Sequence, residues 1–72
     1  MAVNILDCTN LVCPMPIVKV NKAMKDLNPG DQLEVLATDP AFKADIESWT
    51  KLRKVKIISY TPGAVQKALL EK

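Results

Sequence analysis

Five prolines, at positions 14, 16, 29, 40 and 62, cut this chain into short pieces. Proline lacks a backbone N–H and clashes inside a helix, so each regular element is confined between breaks. The hydrophobic period changes from one interval to the next. Val3 to Cys8 alternates as a strand does, with Val3, Ile5 and Asp7 on one face and Leu6 and Cys8 on the other. Thr9-Asn10 reads as a turn, because asparagine tolerates the left-handed backbone that such corners need. After Pro14, Ile17, Val20, Met24 and Leu27 fall on one stripe of a helix, with Lys19, Lys22, Lys25 and Asp26 largely on its other side. Proline is tolerated in a first helical turn, whose N–H groups have no intrahelical partner. Asn28-Pro29-Gly30-Asp31 ends that helix.

Gln32 to Thr38 returns to alternation, with Leu33, Val35 and Ala37 on one face. Asp39 as N-cap and Pro40 as first helical residue predict a second helix with an apolar stripe of Phe42, Ile46, Trp49 and Leu52. Arg53-Lys54 suits the negative end of its dipole. Val55 to Tyr60 is rich in strand-forming residues, and Thr61-Pro62-Gly63 is a turn. The segment 64–72 is ambiguous. Its Ala, Gln, Lys, Leu and Glu favour a short helix, whereas pairing with 55–60 would make it a final strand. The order is β-α-β-α-β followed by that element. Its 72 residues predict a single domain, 1–72, of two layers.

Cys13-Pro14-Met15-Pro16 stands where the first strand gives way to the first helix. A helix N-terminus presents unpaired N–H groups and about half a positive charge. A thiolate placed there is stabilised and becomes the better nucleophile. Pro14 and Pro16 stiffen the backbone beside the sulfur, and Lys19 and Lys22 are candidates for adding positive potential. The competing reading is a small buried cysteine at a junction; the rigid flank favours reactivity. Met15 is a candidate apolar contact for partners. The other thiol, Cys8, shares a face with Leu6, which predicts an inert core position; a resolving or relay role is the alternative. The chain has no histidine, which removes Cys-His and Ser-His-Asp arrangements and most zinc sites. No metal site is expected.

Leu6-Asp7, Leu11, Cys13-Pro14-Met15-Pro16, Pro29-Gly30-Asp31, Asp39-Pro40 and Asp45-Ile46 together resemble the TusA/SirA-like family of small sulfur carriers, from about Ile5 to Tyr60. The resemblance implies an α/β two-layer sandwich, β-α-β-α-β-β, with two helices on one face of a four-stranded mixed sheet. It implies that Cys13 holds sulfur as a persulfide or thiosulfonate, without metal or organic cofactor. Sulfur would come from a desulfurase, a rhodanese-type protein or thiosulfate and pass to an acceptor protein, for uses that include tRNA thiolation. Two departures stand out: Thr9-Asn10 where members commonly have Arg-Gly, and Lys54 near a position where many have glycine.

A net charge of +2 and three aromatic residues do not point to direct nucleic-acid binding. The N-terminus lacks a signal-peptide pattern and no stretch reaches the roughly 20 apolar residues of a membrane span, so the expected location is cytoplasmic. Docking to a membrane transporter is compatible with that. Two rival readings are a non-catalytic RNA- or protein-binding module and a redox protein cycling a Cys8–Cys13 disulfide.

Overall fold

The computed structural model describes residues 3–12 and 15–72. Strand β1 (Val3–Cys8) precedes helix α1 (Met15–Lys25), strand β2 (Gln32–Ala37), helix α2 (Phe42–Arg53) and strands β3 (Lys56–Thr61) and β4 (Gln66–Glu71). The sheet order is β1-β2-β4-β3. β1 and β2 are parallel, which requires a crossover, and α1 supplies it. α2 makes the second crossover and passes over one strand position. The chain then returns through 62–65 and lays β4 into the gap, antiparallel to both β2 and β3. The two-layer α/β architecture and the four-stranded mixed sheet are those expected from the resemblance.

Alternation on the strands and a helical stripe on the helices bring one apolar layer together. Cys8, Leu33, Val35, Ala37, Ala68 and Leu70 from the sheet meet Val20, Met24, Phe42, Ile46 and Trp49 from the helices. Ile17, Leu27, Leu6 and Tyr60 pack around them. The other face of the sheet is uncovered at β1, where Val3 and Ile5 are exposed.

The ambiguous C-terminal segment is a strand, and an interior one. A six-residue helix would not repay its nucleation cost. The same six residues paired on both sides satisfy their backbone groups and place Ala68 opposite Val35 and Leu70 opposite Leu33. Burial of the Ala68 and Leu70 side chains overrides local helix preference.

Two expectations about α2 need correction. Leu52 is not in the buried stripe and is 79% exposed. Six residues beyond Ile46, it lies about 120° around the helix. Thr50 takes the inward place instead, its hydroxyl donating to the Glu47 carbonyl at 2.9 Å. Nor does Asp39 cap the first turn of α2. The helix starts at Phe42, and the residue before it, Ala41, makes no side-chain cap bond. Asp39 acts two residues earlier: its Oδ1 accepts from the Ala41 N–H at 3.1 Å and its carbonyl from the Phe42 N–H at 3.0 Å.

The last residue closes the far end of α1. The Lys72 Nζ donates to the Met24 and Leu27 carbonyls, each at 2.6 Å. Its backbone N–H donates to the Asp31 carbonyl, and its carbonyl accepts from the Gly30 N–H. A lysine on the last carbonyls of a helix satisfies orphan acceptors and complements the dipole.

The register of β4 gives a test. Leu70 points into the core, whereas Leu69 lies opposite Glu34 and Ser59 on the other face. Leu70→Ala should destabilise by about 2–5 kcal/mol and Leu69→Ala by well under half as much. Urea unfolding reads both; equal losses would be incompatible with this register.

Candidate functional site

The carboxyl ends of β1, β2 and β3, the start of β4 and the N-termini of both helices lie at one pole of the molecule. In α/β folds the crevice beyond the carboxyl ends of the strands is where sites form. Local chemistry shapes the loop between β1 and α1. The Asp7 Oδ1 accepts from the Thr9 N–H at 2.9 Å and from its hydroxyl at 2.6 Å. These two bonds hold the Asp7 carboxyl below the ordinary range for aspartate. Asn10 then turns the corner at φ 65°, the left-handed geometry expected of it. The Leu11 N–H closes the turn on the Cys8 carbonyl, and the Met15 N–H donates to the Val12 carbonyl at 2.9 Å as α1 begins.

This loop is tied to the rest of the pole. The Asn10 N–H donates to the Thr38 Oγ1 at 2.9 Å, joining it to the segment that follows β2. That segment is held in turn by Gln66, whose Nε2 donates to the Asp39 carbonyl at 2.7 Å. The Gln66 Oε1 accepts from the Tyr60 hydroxyl at 2.7 Å. Gln66 is a buried polar side chain whose two ends both find partners, as burial demands. The Lys43 ammonium lies 5.4 Å from the centre of the Tyr60 ring, a cation–π contact. The sequence reading missed Thr38, Tyr60 and Gln66. The signal for Gln66 was its inward register with Ala68 and Leu70, visible only once 66–71 is a strand.

Cys13 and Pro14 lie outside the described residues. Of the other predicted site residues, Met15 opens α1 and is 44% exposed. Pro16 is buried against the core, so it packs the first turn and presents nothing to a partner. Lys19 and Lys22 are exposed on α1. With Leu6, Met15, Val18, Ala23 and Asp26 they line an open groove of about 430 Å³ along the flank of α1 beside β1. Val12 and Val18 add exposed apolar surface beside Met15. The structure thus brings Met15, Lys19 and Lys22 together on one apolar and cationic stripe that begins two residues after Cys13.

Cys8 is completely buried. Burial pushes its thiol up, while the Lys19 charge pulls it down and Asp7 adds a smaller upward push. A core position is what the alternation of β1 predicts, and it is where Cys8 lies.

The family model of sulfurtransferase TusA matches residues 4–72. The chain belongs to the TusA family. YrkF of Bacillus subtilis is 55% identical over 47 residues, which are 65% of this chain and 25% of YrkF. YrkI of the same organism is 51% identical over 47 residues, 65% of this chain and 63% of YrkI. The sulfur carrier protein TusA of Pseudomonas aeruginosa is 48% identical over 42 residues, 58% of this chain and 53% of that protein. The chain thus spans less than two thirds of the length of each of these relatives. Among the described residues, no helix is long and apolar enough to cross a membrane.

Cys8 has a pH signature. A thiol pKa higher in the folded than in the unfolded state contributes stability that is fully present below the unfolded value. That contribution is lost as pH rises through the folded one. Relative to Cys8→Ala, the wild-type chain should therefore lose stability as pH climbs past about 8.5, the ordinary thiol value. Urea midpoints of the two proteins across that range measure it. A constant difference would mean that the folded state does not shield this thiol.

Proposed function

We propose that this TusA-family chain is a sulfur carrier and that Cys13 is the residue that bears the sulfur. One observation carries the choice of residue: the chain has two cysteines, and Cys8 is completely buried. A carrier's sulfur must meet the sulfur of another protein, so a thiol without solvent access cannot serve. Cys13, two residues before Met15 in the sequence, is the one that remains.

The chemistry is exchange at sulfur. The Cys13 thiolate attacks the outer sulfur of a donor persulfide, a new S–S bond forms, and the donor leaves as a thiolate. With thiosulfate the leaving group is sulfite. A thiosulfonate arises when the donor cysteine already carries the whole thiosulfate group: the Cys13 thiolate attacks the sulfur bonded to that cysteine, which leaves as a thiolate, and the group passes on intact. In the discharging step an acceptor thiolate attacks the outer sulfur and Cys13 leaves as a thiolate. Neither step requires a built-in base, provided the thiol ionises near neutral pH. The Lys19 and Lys22 charges favour the approach of an anionic donor and the persistence of an anionic adduct. Met15 and Val18 supply apolar contact for the proteins on either side. Donors of desulfurase or rhodanese type and an acceptor protein follow from this reading, as does a cytoplasmic setting that keeps the thiol reduced. Burial of Cys8 weighs against a Cys8–Cys13 redox couple, which needs both thiols within reach of an oxidant.

Intact mass tests the assignment. The reduced protein is incubated with thiosulfate, or with a cysteine desulfurase and cysteine. Wild type and Cys8→Ser should each gain one sulfur, and Cys13→Ser none. No gain by any of them with either donor would overturn the carrier reading, and gain by Cys13→Ser would overturn the residue.

The stripe makes a separate claim. Lys19→Glu combined with Lys22→Glu should slow loading by thiosulfate about tenfold at low salt, with the deficit shrinking as ionic strength rises. A deficit that ignores salt would point to damage rather than lost attraction.

A further inference from the structure

A second surface lies at the opposite pole, where both helices end. The sequence places Lys51, Arg53, Lys54 and Lys56 in one run, which is most simply a solvated helix end. The fold adds cations to it from two other elements. Lys25 from the end of α1 and Lys72, just after β4, meet Arg53 and Lys54 around a groove of about 240 Å³. Asn21, Met24, Trp49 and Val55 complete the lining, so it contains four cationic side chains and no aspartate or glutamate.

The helix dipoles do not account for so much charge. Each helix C-terminus carries about half a negative charge, so the two together call for about one cation. Lys72 already meets that need at α1 through its bonds to the Met24 and Leu27 carbonyls. Lys25, Arg53 and Lys54 exceed it.

Lys54 supplies an independent sign. It ends α2 in the left-handed conformation, φ 58° and ψ 37°. Glycine is the residue that takes this position without steric cost, and a side chain there is disfavoured. This chain accepts the disfavoured backbone and in return sets an ammonium on the rim of the groove. An unfavourable backbone retained beside a cluster of like charges is a reason to look for a ligand.

We infer that this groove docks an acidic segment of a partner protein, with carboxylates on Lys25, Arg53 and Lys54 and an apolar side chain over Met24, Trp49 and Val55. Charge complementarity sets the sign of the partner. The shape of the site selects a peptide over a nucleic acid. Single strands are held by a track of cations with exposed aromatic faces for the bases. Here the cations converge on one small hollow, and Trp49, 9% exposed, lines it but is too covered to stack a base. An eleven-residue helix is about 16 Å long, so a segment held here sits well away from Met15 and the groove beside it. A carrier gripped at this pole keeps its other pole free to load and unload. The inference goes beyond the carrier reading and does not require it.

Trp49 is the only tryptophan and lines the groove, so its fluorescence reports occupancy. The probe is a short blocked peptide rich in glutamate with a central leucine, titrated into the full chain. Its controls are the same peptide with glutamine for glutamate and a single-stranded oligouridylate. Binding of the acidic peptide should shift the emission and weaken with salt. Lys25→Gln, Arg53→Gln and Lys54→Gly combined should raise Kd by about tenfold or more, whereas Lys51→Gln, outside the groove, should change it less than about twofold. Lys54→Gly alone should weaken binding while leaving the urea midpoint unchanged or higher, which a merely structural lysine would not do. The proposal is overturned if the acidic peptide does not bind, if the glutamine peptide binds equally well, if the triple variant binds as wild type does, if Lys54→Gly lowers the midpoint, or if oligouridylate binds more tightly through the same residues.

Discussion

The structure depends on the pairing of β4 between β2 and β3. Without it the sheet would be a two-stranded ribbon and a detached strand, and α2 would span a gap. The same six residues also connect the two poles. At the start of β4, Gln66 bridges the Asp39 carbonyl and the Tyr60 hydroxyl, which steadies the segment on which the β1–α1 loop leans through Thr38. Just past its end, Lys72 closes the carbonyl end of α1. A backbone strand in the middle of a sheet is among the last parts of a domain to open. Site geometry hung on such a strand is thereby coupled to global stability, not left to a mobile loop.

That strand was also the least legible part of the sequence, for a physical reason. Local preference in Gln66-Lys67-Ala68-Leu69-Leu70-Glu71 points to helix, and the decisive information lies in residues 30 to 40 positions away. Only Leu33 and Val35 opposite Leu70 and Ala68 make the strand pay. Where pattern and burial agree, reading was easier. β1 spans Val3–Cys8 as its alternation indicates, and Val20 and Met24 are buried as the period of α1 requires. The misplaced ends of α2 have separate causes. Leu52 is apolar but on the wrong arc, and Asp39 spends its carboxylate on a turn one step before the helix. The candidate site was legible as a motif and as separate candidates Met15, Lys19 and Lys22, whose shared groove only the fold brings together, and not as a network. Hydrogen bonds among Asn10, Thr38, Asp39, Tyr60 and Gln66 join residues with no shared period.

The two cysteines lie five positions apart in the sequence, and the strand fixes the surroundings of the first. Cys8 is the last residue of a strand whose inward face packs under α1, so alternation alone sends its sulfur into the core. Beyond it the Asp7–Thr9 bonds and the left-handed Asn10 turn the chain away from the sheet. Desolvation then keeps the Cys8 thiol protonated. For a chain whose proposed chemistry is thiol exchange, this matters as much as activation of the other cysteine. A second accessible thiolate nearby would attack a persulfide on Cys13 and discharge it as a disulfide. Burial of Cys8 removes that competitor.

The parallel arrangement of the helices divides labour between the ends of the molecule. β1, β2 and β3 point the same way, so α1 and α2 both run back against them, with their N-termini at one pole and their C-termini at the other. Partial positive charge gathers where α1 begins, two residues after Cys13 in the sequence, and partial negative charge gathers where the helices end. A chain left to satisfy its dipoles would put little cationic charge at the first pole and about one cation at the second. This chain instead adds Lys19 and Lys22 to the already positive flank and overfills the negative end with Lys25, Arg53, Lys54 and Lys72. Both excesses cost self-repulsion, which an 72-residue domain of modest core can ill absorb. Charge in excess of what the fold needs is what the proposed partners would read, an anionic sulfur donor at the first pole and an acidic segment at the second.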